Sequence, residues 1–210
     1  MTILLSAIGG YFLGSIPFGL VLCYLAGLGD IRKIGSGNIG TTNVLRTGRK
    51  DLALLTLLLD ASKAGIAAWV AGHFAPQTSE MFLGIMTKTN LLAALVAGSC
   101  AVLGHNFPVW LKFKGGKGVA SAFGFILVIS PMLALMAFGT WLVMVIAFRY
   151  SSLAAITAAV MTPLYAYFVE SEVQTVFFTL IALLVLVRHH ANISRLLKGT
   201  ESKVSFKKKA

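Results

Sequence analysis

The sequence predicts an all-α integral membrane protein that folds as a single domain over residues 1–210. Of these residues, 57% are hydrophobic and only 12% are charged, whereas a soluble domain carries about 25% charged residues. The formal net charge is +11, and the positive charge is divided into short clusters that alternate with long apolar runs. This alternation is typical of the cytoplasmic loops of membrane proteins. It argues against the continuous basic face by which a soluble protein binds nucleic acid.

Seven membrane-spanning helices are predicted from the apolar runs, because a span needs about 20 mostly apolar residues. They are expected at roughly 3–25, 51–72, 91–111, twice within 118–148, at 151–169 and from 173–187 into the amphipathic stretch that follows. The run 118–148 would be roughly 45 Å long as one straight helix, which exceeds a hydrocarbon core of about 30 Å. Pro131 disfavours the helical conformation at Ser130, so this run is expected to form two shorter helices.

Basic residues set the predicted orientation of these helices. Sixteen of the 18 Lys and Arg residues lie in four places: 32–50, 112–117, 149 and 188–209. The connections at 73–90 and 169–173 hold three of the seven acidic residues and one lysine. Since basic loops stay in the cytoplasm, the N-terminus is predicted outside and the C-terminus in the cytoplasm. The closing Lys207–Lys209 either lie near anionic headgroups or form a solvated end.

The first of three polar segments on the predicted cytoplasmic side is GSGNIGTTNVLRTGR, at residues 35–49. Its glycines allow backbone N–H groups to converge on an anion, and its hydroxyl, amide and guanidinium groups add donors. The candidate phosphate ligands are Ser36, Gly37, Asn38, Thr42, Asn43 and Arg46. The segment also matches GxGxxG, but a dinucleotide-binding fingerprint follows a strand, and here a membrane helix precedes it. A flexible loop with ordinary inner-face arginines is the alternative interpretation.

The second polar segment, GHNFPVWLKFKGGKGVAS at residues 104–121, ends in a turn rich in glycine and lysine that opens the next helix. A helix N-terminus favours anions through its unsatisfied N–H groups and its dipole. The candidate phosphate ligands in this turn are Lys114, Gly115, Gly116 and Lys117. His105, together with Pro108, is interpreted as a structural residue that shapes the end of the preceding helix.

The third polar segment is RHHANISRLLKGTE, at residues 188–201. His189 and Asn192 lie on one helix face, and Arg195 falls close to it. Because imidazole titrates near neutral pH, His189 is a candidate for proton transfer. Ser152 could add a hydroxyl to a phosphate site, or it could cap a helix N-terminus. The alternative for the whole segment is a basic helix that lies among lipid headgroups.

Asp60 and Lys63 are two charged residues within a predicted span, three positions apart and hence on one helix face. Charged side chains in lipid are costly, and they are usually functional or paired. We interpret them as a mutually neutralising pair that braces the bundle, and a functional role is the alternative. The seven acidic residues are mostly paired or at loop ends, so neither a metal site nor a cofactor is predicted.

In their order and spacing, the segments GSGNIGTTNVLR, GHNFPVWLKFKGGKGVAS and RHHANISRLLKGTE resemble those of the bacterial acyl-phosphate:glycerol-3-phosphate acyltransferase family. The resemblance extends over essentially the whole chain and implies a seven-helix enzyme of the bacterial inner membrane, with its motifs at the cytoplasmic face. The implied reaction transfers the acyl group of a fatty acyl phosphate to the 1-hydroxyl of sn-glycerol 3-phosphate. It yields lysophosphatidic acid and phosphate, the first acylation step of phospholipid biosynthesis.

The resemblance also implies roles for individual residues and partners. Phosphate or substrate roles follow for Ser36, Arg46, Lys117, Ser152, His189 and Asn192. Of these, His189, Lys117 and Arg46 are the predicted catalytic residues. The implied partners are the two substrates and the bilayer, and a contact with the enzyme that forms the acyl phosphate is left open.

The chemistry of acyl transfer from an acyl phosphate is compatible with these residue types. Such a donor is a mixed anhydride, so its carbonyl is already activated and phosphate is a good leaving group. The protein has to hold two anionic groups together and align the hydroxyl with the carbonyl, which suits Arg, Lys and backbone donors. No GxSxG elbow is present, so a covalent acyl-enzyme is not expected. The proton acceptor is either His189 or an oxygen of the substrate's own phosphate.

Three other classes of membrane protein fit the sequence less well. A thioester-dependent acyltransferase has an HxxxxD motif, and no histidine of this chain is followed by the required aspartate. A CDP-alcohol phosphotransferase needs several aspartates in a DG…D pattern, and the sequence contains no DG. A permease or lipid-phosphate carrier needs polar groups at the midplane with access from both sides, whereas only Asp60 and Lys63 are predicted to lie deep.

Overall fold

The structure, a computed structural model, describes residues 1–204. The predicted proximity of Lys207–Lys209 to lipid headgroups concerns residues outside this range and stays a prediction. The described residues form ten α-helices: α1 Thr2–Gly14, α2 Phe18–Leu25, α3 Thr41–Leu45, α4 Lys50–Phe74, α5 Thr89–Asn106, α6 Val119–Ile129, α7 Pro131–Phe148, α8 Ser151–Val169, α9 Glu172–Arg188 and α10 His190–Leu197. They also form two strands, β1 Ser79–Phe82 and β2 Ile85–Lys88. The chain folds as two compact units, of which the first is Met1–Ser130 and the second begins at Pro131.

Within residues 1–204, five helical segments are long and apolar enough to cross a membrane: Thr2–Leu25, Lys50–Phe74, Thr89–Leu111, Pro131–Phe148 and Ser151–Val169. The pair α9 and α10, bent by 59°, makes a sixth if it counts as one span. Helix α6 has 11 residues and measures about 16 Å, which is short of a core of about 30 Å. The predicted helical membrane architecture is confirmed, whereas the count of seven and the orientation of the termini stay predictions.

Prolines interrupt two of the predicted apolar runs. Ser130 has an extended backbone, with φ −146° and ψ 94°, and separates α6 from α7 as its position before Pro131 predicts. The span predicted at 3–25 is also broken, into α1 and α2, with Pro17 at the N-cap of α2. The sequence prediction did not include this second break, although the same property of proline causes it.

Small residues bring the helices of the first unit into backbone contact. Helix α4 packs against α1, α5 and α6, and α1 packs along α5. A Cβ added at Gly14 of α1 would lie 2.0 Å from the carbonyl oxygen of Ala101 in α5. A Cβ at Gly124 of α6 would lie 2.0 Å from the carbonyl oxygen of Ala61 in α4. Larger side chains at these two glycines would force the helices apart, as expected for small-residue contacts between membrane helices.

The second unit is built around α8, which packs against α7 on one side and α9 on the other. The hydroxyls of Thr140 in α7 and Tyr165 in α8 lie 2.8 Å apart. Helix α9 begins at a capping box, in which the Ser171 hydroxyl accepts from the Gln174 N–H and the Gln174 side chain accepts from the Ser171 N–H. Helix α10 contacts both α8 and α9, so it lies against the ends of these helices within the unit.

The connection between α4 and α5 contains a β-hairpin that the sequence analysis did not predict. Strands β1 and β2 pair antiparallel, with Phe82 opposite Ile85. The two residues between them, Leu83 and Gly84, have φ of 52° and 80°, as in a type I′ turn. Leucine is rare at positive φ, so the pair Leu83–Gly84 lacks the Asn-Gly or Asp-Gly signal by which such turns are recognised.

The predicted orientation can be tested by thiol labelling of single cysteines placed in a chain whose Cys23 and Cys100 have been replaced by alanine. We expect Arg49→Cys and Lys198→Cys to react with a membrane-impermeant reagent only from the cytoplasmic side. Glu80→Cys, on β1, should react only from outside. Labelling of Lys114→Cys and Ser151→Cys from opposite faces would contradict an even number of crossings between them and reduce the count to six.

Candidate functional site

The predicted site residues divide into two sets, one in each unit. The first set comprises Ser36, Gly37, Asn38, Thr42, Asn43, Arg46, Lys114, Gly115, Gly116 and Lys117. The second comprises Ser152, His189, Asn192 and Arg195.

The loop between Ile31 and α3 folds back on the side chain of Asn43. The Asn43 Oδ1 accepts a hydrogen bond from the Ser36 N–H at 3.0 Å, and its Nδ2 donates to the Ile31 carbonyl at 2.8 Å. Asn43 is only 1% exposed, and both ends of its side-chain amide form hydrogen bonds with the loop. Asn43 was predicted as a phosphate ligand, and in the structure it also stabilises the conformation of this loop.

Glycine at position 35 allows the Arg46 side chain to cross the loop closely. Gly35 has φ 57°, and a Cβ there would lie 2.7 Å from Arg46 Cδ and 2.6 Å from Asn43 Oδ1. Ser36 and Arg46 are therefore brought to one end of α3, and both are exposed. The Asn38 Oδ1 accepts from the Gly40 N–H at 2.9 Å, which is an Asx-type turn. Thr42 is also exposed.

The turn that carries Lys117 is held against the end of α5 by backbone hydrogen bonds. The Gly115 N–H donates to the Asn106 carbonyl at 3.1 Å, and the Gly116 N–H donates to the His105 carbonyl at 3.0 Å. Both N–H groups thus donate within the protein, and the predicted role of Gly115 and Gly116 in binding phosphate stays a prediction. The glycines also allow close approach, because a Cβ at Gly115 would lie 2.2 Å from the His105 carbonyl oxygen. Lys117 is half-buried and Lys114 is exposed.

A buried cluster of Asp60, Lys63 and His105 lies beside this turn. The Lys63 Nζ is 3.0 Å from Asp60 Oδ1, 2.9 Å from His105 Nδ1 and 2.9 Å from the Ile16 carbonyl oxygen. The predicted pairing of Asp60 with Lys63 is thus present. The contact of His105 with this pair was not predicted, although the positions of His105 and Lys63 in apolar helices were the available signal that they meet.

In the second unit, three predicted site residues surround one carboxylate that the sequence analysis did not single out. Glu201 Oε1 accepts from the Ser152 hydroxyl at 2.7 Å and from Asn192 Nδ2 at 2.6 Å. Glu201 Oε2 accepts from Arg195 Nε at 2.6 Å. The Glu201 side chain is 7% exposed. Its importance could have been predicted from its charge, since Glu201 is the one acidic residue in the basic segment 188–210.

These contacts change the acidity of Glu201. Burial alone would raise the pKa of its carboxyl, but the hydrogen bonds from Ser152, Asn192 and Arg195 outweigh burial and lower the pKa below its ordinary value of 4.5. A carboxyl with a lower pKa in the folded than in the unfolded state stabilises the fold above pH 4.5. That contribution is lost as the pH falls through the folded-state pKa.

Glu201→Gln should therefore lower the apparent melting temperature at pH 7 and reduce its further fall on acidification. The glutamine keeps the size of the side chain but lacks the charge that the Arg195 guanidinium binds. Thermal unfolding in detergent between pH 7 and pH 4 measures the effect, with the exposed Glu80→Gln as the matched control. Parallel pH curves for Glu201→Gln and wild type would contradict the assignment.

His189 lies at the junction of α9 and α10 and is 2% exposed. Its Nδ1 is 2.7 Å from the Val185 carbonyl oxygen, and a carbonyl only accepts, so Nδ1 carries the proton. In the neutral ring Nε2 is then the acceptor, which is the form that a general base requires. Asn192 is three positions along the chain and is also buried; that the two residues share a substrate-binding face stays a prediction.

Apolar spans that alternate with cationic, glycine-rich turns define an integral membrane protein with candidate sites for anions. A profile of the glycerol-3-phosphate acyltransferase family matches residues 4–199. The glycerol-3-phosphate acyltransferase of Rhodospirillum rubrum is 55% identical over 204 residues, which cover 97% of this chain and 92% of the relative. That of Mesorhizobium japonicum is 53% identical over 205 residues, covering 98% of this chain and 97% of the relative. The chain belongs to the glycerol-3-phosphate acyltransferase family.

Two crystal structures share this fold. The structure of PlsY (YgiH), an integral membrane glycerol 3-phosphate acyltransferase, in its glycerol 3-phosphate form is 38% identical, with a TM-score of 0.86. Its lysophosphatidic acid form is 37% identical, with a TM-score of 0.84. Each comparison covers 98% of this chain and 96% of the PlsY chain. The resemblance of the three polar segments is thereby confirmed at the level of the family.

Proposed function

We propose that this protein transfers the acyl group of a fatty acyl phosphate to the 1-hydroxyl of sn-glycerol 3-phosphate, releasing lysophosphatidic acid and phosphate. The observation that supports this proposal most strongly is the similarity over 98% of the chain to PlsY in a glycerol 3-phosphate form and a lysophosphatidic acid form. These two molecules are the acceptor and the product of the proposed reaction. The reaction is an early step in making phospholipids, and the proposed place is the cytoplasmic face of a bacterial inner membrane.

The proposed mechanism assigns charge neutralisation to the cations of the polar segments. Arg46 and Lys117 contact the phosphate groups of the two substrates, and Ser36 and Asn38 add neutral donors. An acyl phosphate needs no enzyme nucleophile, because attack of the alcohol on its carbonyl expels phosphate directly. Holding both substrates with the hydroxyl aligned on the carbonyl supplies most of the rate, and the positive charges stabilise the oxyanion and the leaving phosphate.

The hydroxyl of glycerol 3-phosphate has to lose a proton, and His189 is the side chain proposed to accept that proton or to orient the substrate. Because Nδ1 is bound to the Val185 carbonyl, Nε2 is the nitrogen of the neutral ring that can accept a proton or a hydrogen bond. Two roles are compatible with this geometry: His189 takes the proton, or it accepts a hydrogen bond from glycerol 3-phosphate and orients it while a phosphate oxygen takes the proton. We favour orientation, because a phosphate oxygen of the substrate is itself close to the reacting hydroxyl.

The two roles of His189 predict different pH dependence for the variant His189→Ala. If His189 orients the substrate, the variant should mainly raise KM for glycerol 3-phosphate and keep the wild-type pH profile. If His189 is the base, kcat should fall by about 10²–10⁴-fold, and the acidic limb of the profile should flatten. Steady-state kinetics of both proteins between pH 5.5 and pH 8.5 distinguish the roles, and an unchanged KM with a flattened limb would contradict orientation.

The acyl donor is tested with purified protein in detergent. Glycerol 3-phosphate is supplied with either palmitoyl phosphate or palmitoyl-CoA, and lysophosphatidic acid is measured. We expect product from palmitoyl phosphate, one phosphate per acyl transfer, and no product from the thioester. Turnover of palmitoyl-CoA at a comparable rate would overturn the proposed donor while leaving the acyltransferase family assignment in place.

A further inference from the structure

The buried cluster Asp60–Lys63–His105 lies outside the residues to which the proposed mechanism assigns substrate contacts. Asp60 and Lys63 are each 2% exposed and His105 is 4% exposed. Their polar side-chain atoms meet one another at Lys63 Nζ. Retaining a buried ion pair is also a weak route to stability, since apolar residues of similar size often serve equally well. The cluster is therefore better explained by the neighbouring residues that it keeps in position.

The hydrogen bonds of Lys63 determine the state of His105. An ammonium group has three donors and no acceptor, and Lys63 Nζ has three acceptors within 3.0 Å: Asp60 Oδ1, His105 Nδ1 and the Ile16 carbonyl. Toward the Lys63 ammonium, Nδ1 of His105 is the acceptor, and a neutral ring then carries its proton on Nε2. Nδ1 also lies 3.5 Å from Asp60 Oδ1, so two side chains of the cluster hold the ring in its orientation.

The fixed edge of this ring lies against the turn that carries Lys117. A Cβ added at Gly116 would lie 1.9 Å from His105 Nε2 and 2.7 Å from its Cε1. The backbone of Gly116 thus runs directly over the imidazole, and its N–H donates to the His105 carbonyl at 3.0 Å. The residue that precedes Lys117 is held by both the backbone and the ring of His105.

The helix that follows this turn, α6, is bound to the backbone of α4 at Asp60. The Ser121 hydroxyl, in the first turn of α6, donates to the Asp60 carbonyl at 2.8 Å. Gly124 of α6 lies against the Ala61 backbone of α4, as described above. Lys117 therefore lies in a short segment that is bound on one side to His105 and on the other side to the α4 backbone at Asp60.

We propose that the Asp60–Lys63–His105 cluster positions the Lys114–Gly118 turn, and that His105 acts on the reaction only through the placement of Lys117. This inference rests on the proposed function for its kinetic consequence, but the geometry that it describes does not. His105 is a positioning residue in this proposal, because its ring contacts the turn and not the reacting atoms.

A double-mutant cycle tests the coupling between His105 and Lys117. In the wild-type background, His105→Ala should lower kcat/KM by about 10²-fold, the loss expected for a displacement of about 1 Å. In a Lys117→Ala background the same substitution should cost less than about threefold, because no positioned ammonium remains to be lost. His105→Asn, which keeps an acceptor for Lys63, should show a smaller loss with the same dependence on Lys117. The exposed His73→Ala is the matched control and should leave kcat/KM unchanged in both backgrounds.

A second measurement does not depend on catalysis. Lys117→Cys, in a chain without Cys23 and Cys100, is coupled to a nitroxide, and the mobility of the spin label is measured by electron paramagnetic resonance. Adding His105→Ala should increase the mobility, and adding His73→Ala should not. If wild-type protein transfers no acyl group, the proposed function fails while the mobility result still decides the inference. The inference would be overturned if His105→Ala lowered kcat/KM equally in both backgrounds, or if His105→Ala did not change the mobility of the label.

Discussion

Lys117→Ala should lower acyl transfer from palmitoyl phosphate by about 10- to 150-fold while the protein stays folded in detergent. The reason is that a hydrogen bond to a charged group contributes about 1.5–3 kcal/mol, and each 1.36 kcal/mol of barrier changes the rate tenfold. Arg46→Ala should produce a loss of similar size, since its guanidinium is placed over Gly35 at the end of α3. Initial rates over a range of both substrates measure the effect.

The matched control for Lys117→Ala is Lys112→Asn. Lys112 is exposed and has φ 51°, a conformation that asparagine tolerates, so the substitution removes one positive charge two residues before the Lys114–Gly118 turn without straining the backbone. We expect near-wild-type rates. If Lys117→Ala and Arg46→Ala both keep wild-type turnover at saturating substrate, the assignment of a phosphate contact to these cations is wrong.

Lys63→Met should destabilise the protein by about 3–5 kcal/mol, the cost of leaving a buried charge without its partner. The methionine fills the space of the lysine stem but provides no donor for Asp60 Oδ1, His105 Nδ1 or the Ile16 carbonyl. The apparent melting temperature in detergent should fall accordingly. Lys50→Met, at the exposed start of the same helix, removes an equal charge and should have little effect.

The double variant Asp60→Asn with Lys63→Met distinguishes the stability lost with the ion pair from the stability lost through altered packing. Removing both charges leaves no uncompensated ion, so the double variant should melt closer to wild type than Lys63→Met does. A double variant that is less stable than Lys63→Met alone would show that the charges are not coupled as their 3.0 Å separation indicates.

The helices were predictable because a lipid environment leaves few alternatives. Charge-free runs and a proline at position 131 are sufficient to place α5 to α9 within about five residues, since backbone groups in hydrocarbon must be paired within a helix. Helix α4 was predictable only by accepting Asp60 and Lys63 within a span. The β-hairpin was not predictable in this way, because it lies in a connection where water satisfies the backbone and apolar composition gives no information. Its turn, Leu83–Gly84, also lacks the usual residues.

The candidate site was predictable as a set of residue types but not as a set of contacts. Arg46, Lys117 and His189 were selected because glycine-rich, cationic segments bind anions and imidazole moves protons. Their neighbours depend on long-range packing, which spacing along the chain does not reveal. Glu201 meets Ser152 from 49 positions away, and His105 meets Lys63 from 42. Only the fold shows that a carboxylate already engages the Ser152, Asn192 and Arg195 donors.

The break between α1 and α2 determines which backbone N–H and C=O groups of this span need partners outside their own helix. A break in a helix leaves up to four N–H donors and four carbonyl acceptors without helical partners. Here one of those donors is absent, because Pro17 has no N–H. One of the acceptors, the Ile16 carbonyl, is paired with Lys63 Nζ at 2.9 Å and with the Phe18 N–H at 3.1 Å. Pro17→Ala would introduce an N–H and restore the option of a continuous helix, and continuity would draw that carbonyl back into the helix and away from the ammonium.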